Sequence, residues 1–378
     1  MSIGVDDDTQ RSCGKTLMSL VHLRRGAAVV AVAVATFLAS CSTPEPIAEA
    51  PPPPAVLPPP PVTLNASVAE AASVYVTFIR DVGTIRAGFP DAESIQMAMR
   101  KGAAYDPAQL SRGMIAYASI LALQSPEFVM GVRQFGVDPE QRRQVIANIV
   151  KDPAYAATLP GADYAAGLII STLGQDISSL TTIADAVEGD AYTIQERNDP
   201  RRRWAVTPIP NREVRLETAK RISTGQMLPS ADESAKLFAA GNSGQGLNLT
   251  AGPARAPYTP AVANALAIAA LAALGAAGDE ARVNTDALTI ESNNEFCLSM
   301  SKLNLFQCLA ASRPSYEDMF CVGRHIVRDL ATCALGSTRP VSVSVSEPVD
   351  TTNQLAPTVS LPQPGSTASL NQTPYTGN

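Results

Sequence analysis

The chain has 378 residues, 46% hydrophobic and only 17% charged, with 30 prolines and 24 glycines, so its length permits from one to three domains and a sizeable core. The formal net charge is −6 and becomes one unit more negative without residues 1–40, which carry four basic and three acidic side chains. That balance gives no electrostatic reason to bind nucleic acid.

A positively charged stretch, His22-Leu23-Arg24-Arg25, precedes a run of small and apolar residues from Ala27 to Ala39, the pattern of a secretory leader. The run falls short of the roughly 20 apolar residues that a membrane span needs. At its end, Leu38-Ala39-Ser40-Cys41 resembles the lipobox of bacterial lipoprotein precursors. The resemblance implies that residues 1–40 are a signal peptide, that Cys41 is the mature N-terminus and that its thiol carries diacylglycerol. Because Ser42 rather than an aspartate follows, the resemblance also implies the periplasmic face of the outer membrane of a diderm bacterium. Three acyl chains, as the class implies, anchor firmly where a single chain is marginal. Asp6, Asp7 and Asp8 do not suit a leader, so translation is expected to begin at Met18, which would exclude Cys13 from the protein.

Residues 41–64 are expected to form the lipidated end and a Pro-rich tether, since two tetraprolines, Pro51–Pro54 and Pro58–Pro61, favour polyproline II over helix or central strand. The basic residue that orients Pro-rich ligands on partner domains is missing, which favours a spacer. From Asn65 the chain reads as helix. Ser67 and Glu70 form a capping-box pattern, and Ala71, Tyr75, Phe78, Val82, Ile85 and Phe89 follow at alternating steps of four and three, predicting a helix closed by Pro90. Asp106-Pro107, Ser125-Pro126, Asp138-Pro139 and Asp152-Pro153 each place a capping side chain before a proline at the first helical position. Between Asp163 and Glu196, Ala166, Ile170, Leu173, Ile177, Leu180, Ala184, Val187, Ala191 and Ile194 keep the same alternation. This is a seam for another helix, whether the one at 67–89, another in this chain or one in a second subunit.

Residues 198–212 read as a connecting loop between helical regions 65–197 and 213–339. Within it Arg201, Arg202 and Arg203 adjoin Trp204, the only tryptophan, and are read as a solvated loop around one buried aromatic rather than a phosphate or glycan site. Helices are predicted over Glu213–Thr224 and Ala231–Ala240, the latter with Ser230 and Glu233 as a capping box, and over the apolar stretch Ala261–Leu274. Gly241–Gly252 lacks the Lys-Ser/Thr of a phosphate loop. Residues 340–378 are too polar to order themselves and are expected to be disordered.

Cys297, Cys308, Cys321 and Cys333 fall close together in an exported chain, where disulfides persist. Three connectivities are possible. A helix capped by Ser292 and Glu295 would carry Cys297 and Cys308 on one face, Pro314 would stop it, and a second helix from about Tyr316 would carry Cys321 and Cys333. The 12-residue separation in the second helix fits poorly, about 120° off one face at roughly 100° per residue. Antiparallel packing across residues 292–335 favours Cys308 with Cys321 and Cys297 with Cys333. No two cysteines have the spacing of a zinc knuckle or an oxidoreductase, and no metal or cofactor is expected.

No catalytic constellation assembles in the sequence. His325 is the only histidine beyond the leader, and its flanks offer no nucleophile turn. Glu93-Ser94, Glu233-Ser234 and Glu291-Ser292 show the Glu-Ser pair found in helical lytic transglycosylases, but the Gly-Leu-Met-Gln type of segment that should follow is absent. The expectation is therefore an all-α protein with an irregular multi-helix periplasmic domain and a disulfide-bonded C-terminal hairpin. It would sit in the membrane through lipid on Cys41 and serve an envelope protein partner as a scaffold, assembly or accessory factor. The alternative is a lipoprotein that binds peptidoglycan or cleaves it with Glu93 or Glu291.

Overall fold

The computed structural model describes residues 58–197 and 200–339. The leader, Cys41, the first tetraproline and the tail from residue 340 lie outside the described residues. The buried Asn65 starts α1 (Ala66–Val82): its Oδ1 accepts from the Val68 N–H at 3.2 Å, while its Nδ2 donates to the Ala277 carbonyl at 3.0 Å and to Thr285 Oγ1 at 2.9 Å. The cap is thus Asn65 and not Ser67, because contacts from more than 200 residues away complete the amide. The helix also ends at Val82, with Gly83 as its C-cap, and not at Phe89. Ile85 and Phe89 remain buried from an irregular segment, so they mimic a helical period without a helix.

Asp91 and Ser94 form a capping box at the start of α2 (Ala92–Ala103). The proline-marked starts open α3 (Pro107–Ala122), α4 (Pro126–Arg133) and α5 (Pro139–Lys151), each with its Asp or Ser side chain accepting a first-turn N–H. The fourth, Asp152-Pro153, opens only a 3₁₀ turn, Pro153–Thr158. Then comes α6 (Ala162–Glu196), 35 residues or about 52 Å of helix. Its first half lies against a loop: a Cβ on Gly167 would stand 2.0 Å from the Gly252 carbonyl oxygen, a spacing only glycine permits.

The second half of the chain supplies α7 (Arg212–Ile222), α8 (Ala231–Ser243), α9 (Pro260–Ala273), α10 (Arg282–Leu288), α11 (Ser292–Ala311), α12 (Ser315–Val322) and α13 (Asp329–Thr338). The apolar α9 is buried along nearly its whole length and packs on α3. α1 lies between α3 and α8, so the sequence halves interleave. Among the described residues there is no strand, only isolated bridges at Leu64–Ala277 and Pro208–Pro314. No single described helix is long and apolar enough to cross a membrane.

The seam of α6 is filled from within the chain, chiefly by α12, α13 and the turn between them, with α3, α4 and α9 also packed on the helix. That turn, Gly323–Arg328, is π-helical and makes α12 and α13 one continuous rod. It explains the awkward cysteine spacing. A π turn absorbs one extra residue, so the offset between Cys321 and Cys333 falls from about 120° to about 20° and both face α11. The disulfides are nested, Cys308–Cys321 inside Cys297–Cys333, with Cα separations of 5.8 and 5.6 Å. Arg328 fixes the turn to α6 through Glu188 and Asp185, each at 2.6 Å.

The Pro-rich segment joins this body earlier than its composition suggests. Arg133 donates to the Pro59 carbonyl at 3.4 Å, Pro60 lies against Gly136 and Gly275, and Thr63 N–H donates to the Ala272 carbonyl at 3.0 Å. Asn242 bonds both the N–H and the carbonyl of Leu64. The second tetraproline is therefore packed on the body, so residues 58–64, expected to belong to the tether, are held against it.

Candidate functional site

A cleft of about 500 Å³ opens where the end of α6 meets the segment after α1 and the 3₁₀ turns Pro200–Val206. Asp190, Thr193, Ile194 and Arg197 form one wall, Gly88, Phe89 and Pro90 another, and Arg201, Arg202 and Trp204 the third. Its electrostatics are organised by Asp190, whose Oδ1 pairs with Arg202 and whose Oδ2 accepts the Gly88 N–H at 2.9 Å. Gly88 presents that N–H from a left-handed conformation, φ +80°, which favours glycine. The guanidinium of Arg202 is thereby held in one orientation, while Arg197 is exposed at the helix end, where a cation also suits the macrodipole. Trp204 is half-buried, one edge in the core and one lining the cleft. The loop is thus less featureless than its composition suggests, and its organising partners, Asp190 and Gly88, are distant in sequence.

A second polar cluster lies within the helices. Asp176 on α6 faces Tyr75 and Arg80 on α1 and Tyr117 on α3, and the two tyrosine rings stack 6.0 Å apart. Arg80 is engaged in a bidentate pair with Glu233 at 2.6 and 3.2 Å. Burial pushes the Asp176 carboxyl up to about 6, partly offset by Arg80, and burial together with Asp176 pushes Tyr117 up to about 12. A carboxyl raised on folding stabilises the native state fully below its unfolded pKa of about 4, and that contribution is lost as pH rises through 6. Asp176→Asn is accordingly expected to raise stability at pH 7 by about 1–2 kcal/mol while changing it little at pH 4. Urea unfolding at the two pH values checks this, and equal effects at both would contradict the assignment. The sequence does carry a signal: Asp176 lies three residues after Leu173 and four before Leu180, on the edge of the seam.

The sequence-predicted residues fare unevenly. The four C-terminal cysteines come together in two pairs, whereas Cys41 lies outside the described residues. Glu291, and not Ser292, is the N-cap of α11: its two carboxylate oxygens accept the N–H groups of Asn293 and Asn294 at 3.1 and 2.7 Å. Glu233 receives the expected cap from Ser230, but its carboxylate turns to Arg80. Glu93 is exposed and pairs with Arg100, and His325 sits in the π turn with Nδ1 3.2 Å from Asp329. Among the described residues no group of three or more His, Cys, Asp or Glu side chains is placed to hold a metal ion. Compared with known proteins, the chain matches no family model, no curated protein and no solved structure.

Proposed function

We propose that this is an outer-membrane lipoprotein, held on the periplasmic face by lipid on Cys41, that serves as a scaffold, assembly or accessory factor of an envelope complex. The observation that carries the reading is the nested pair of disulfides, a feature of chains that fold in oxidising compartments, on a body preceded by a leader and a lipobox-like Cys41. The firm docking of residues 58–65 adds to it, because a pull on the anchor is then delivered to the helical body and not to a loose end. Residues 42–57, which include the first tetraproline, separate Cys41 from that junction.

Cys41→Ser is expected to move the protein from the membrane to the soluble fraction, or to leave it mislocalised. Tight membrane association of that variant would defeat the lipid-anchor reading. Crosslinking in intact cells, followed by affinity purification and mass spectrometry, is expected to recover a stoichiometric envelope protein that the Cys41→Ser variant loses.

A further inference from the structure

We propose that the cleft between the end of α6 and the Pro200–Val206 turns binds an acidic saccharide of the cell wall, its carboxylate on Arg197 and Arg202 and its ring face on Trp204. The inference rests on the periplasmic placement proposed above for the source of the ligand, but its chemistry stands on the cleft alone. In a chain of net charge −6, the described lining of this cleft places Arg197 and Arg202 beside one carboxylate, Asp190. That carboxylate is already committed, to Arg202 and to the Gly88 N–H, so it orients a cation more than it repels an anion. The guanidinium of Arg197 makes no hydrogen bond or ion pair with any described residue and stands at the mouth. A planar guanidinium is suited to bidentate recognition of a carboxylate.

The remaining lining is mixed, with Thr193 beside Ile194, Pro90 and Trp204. Trp204 and Pro90 offer flat surface beside the cations, over the buried Phe89, and indole suits the C–H face of a pyranose, with one end apolar and the other wet. The volume, about 500 Å³, lies within the range of small-ligand sites. Arg202 is preorganised by its pair with Asp190, so ligand binding does not have to order it. An anion with a flat apolar face, presented where an exported and tethered protein can reach it, is met in the muramic acid units of cell-wall glycan.

The chain has one tryptophan, so its emission reports on the cleft directly. The protein purified from its own envelope, in detergent, would be titrated with the disaccharide of N-acetylglucosamine and N-acetylmuramic acid, with neutral chitobiose, and with inorganic phosphate. A saturable emission change is expected with the acidic disaccharide and not with chitobiose at the same concentration. Arg197→Ala, which removes no internal partner, is expected to weaken binding at least about tenfold with an unchanged melting temperature. Arg202→Gln should weaken it further, and recovery of its melting temperature in Arg202→Lys would separate folding from binding. An equal response to chitobiose overturns recognition of the carboxylate, saturation by phosphate at equal or lower concentration makes the cleft a general anion site, and no response removes the site. Fractionation of Cys41→Ser fails or succeeds independently of this titration, so loss of the anchor reading and loss of the cleft are told apart.

Discussion

Replacing Arg215 by Met is expected to cost about 3–5 kcal/mol of stability. Arg215 on α7 is 5% exposed and its partner Asp318 on α12 is fully buried. One carboxylate oxygen of Asp318 accepts from Arg215 Nη1 and from Ser312 Oγ, the latter at 2.7 Å, and the other accepts from Gln96 Nε2 at 2.9 Å. Arg215 Nη2 donates to the Leu309 carbonyl at 2.6 Å, which satisfies the end of α11. Four helices therefore meet on one ion pair. Removing the guanidinium leaves a charge with two neutral donors in a buried site, and such a charge is far more costly than an absent pair. The double variant Arg215→Met/Asp318→Leu should accordingly be more stable than Arg215→Met alone, with a coupling energy above about 1.5 kcal/mol. Urea midpoints for the two single variants and the double measure it. A loss below about 1 kcal/mol in Arg215→Met, or additive single effects, would show that the pair is not what joins these helices. Nε of Arg215 has no partner among the described residues, so the gain from rebuilding the network as apolar packing is correspondingly larger.

Local chemistry is legible in the chain, and remote chemistry is not. The Asp-Pro and Ser-Pro starts can be read because a cap and its N–H groups lie within three residues of each other. The seam of α6 can be read because only a helix keeps apolar residues in register over so many alternating steps of four and three. Its partner cannot, since α12 and α13 enter the sequence more than 100 residues later. The end of α1 misleads because Ile85 and Phe89 are buried at helical spacing by a chain that is no longer helical. Lys302 shows the same limit: its Nζ donates to the carbonyls of Tyr105 and Ser223 and lies 4.8 Å above the Tyr105 ring, with burial drawing its pKa down to about 8. A lone lysine gives no hint of two acceptors on other elements. The misfit of Cys321 and Cys333 is itself informative, for a 12-residue step that has to face one partner requires a defect in the helix, and the π turn is that defect.

Removing the outer disulfide as Cys297→Ser/Cys333→Ser is expected to destabilise the protein by about 4 kcal/mol, and removing the inner one as Cys308→Ser/Cys321→Ser by about 3 kcal/mol. The order follows from loop closure, because the outer bridge spans 36 residues and the inner one 13. The two losses should also differ in place. Without the outer bridge, α13 keeps the contact of the Ser337 carbonyl with Thr259 and its face on α6, but nothing covalent holds its end beyond the π turn. Amide exchange should therefore quicken first in Asp329–Thr338, while Ser315–Val322, still bridged to α11 and carrying Asp318, stays protected. Without the inner bridge the pattern should reverse, with protection lost around the turn that Pro314 makes between α11 and α12. Uniform loss of protection in both variants would mean that the hairpin unfolds as one unit with the core, and that the bridges act through the unfolded chain alone. The seam argues for the localised outcome: Val187, Ala191 and Ile194 of α6 are buried against the rod, so the rod has tertiary support of its own and the disulfides fix the register of α11 along it.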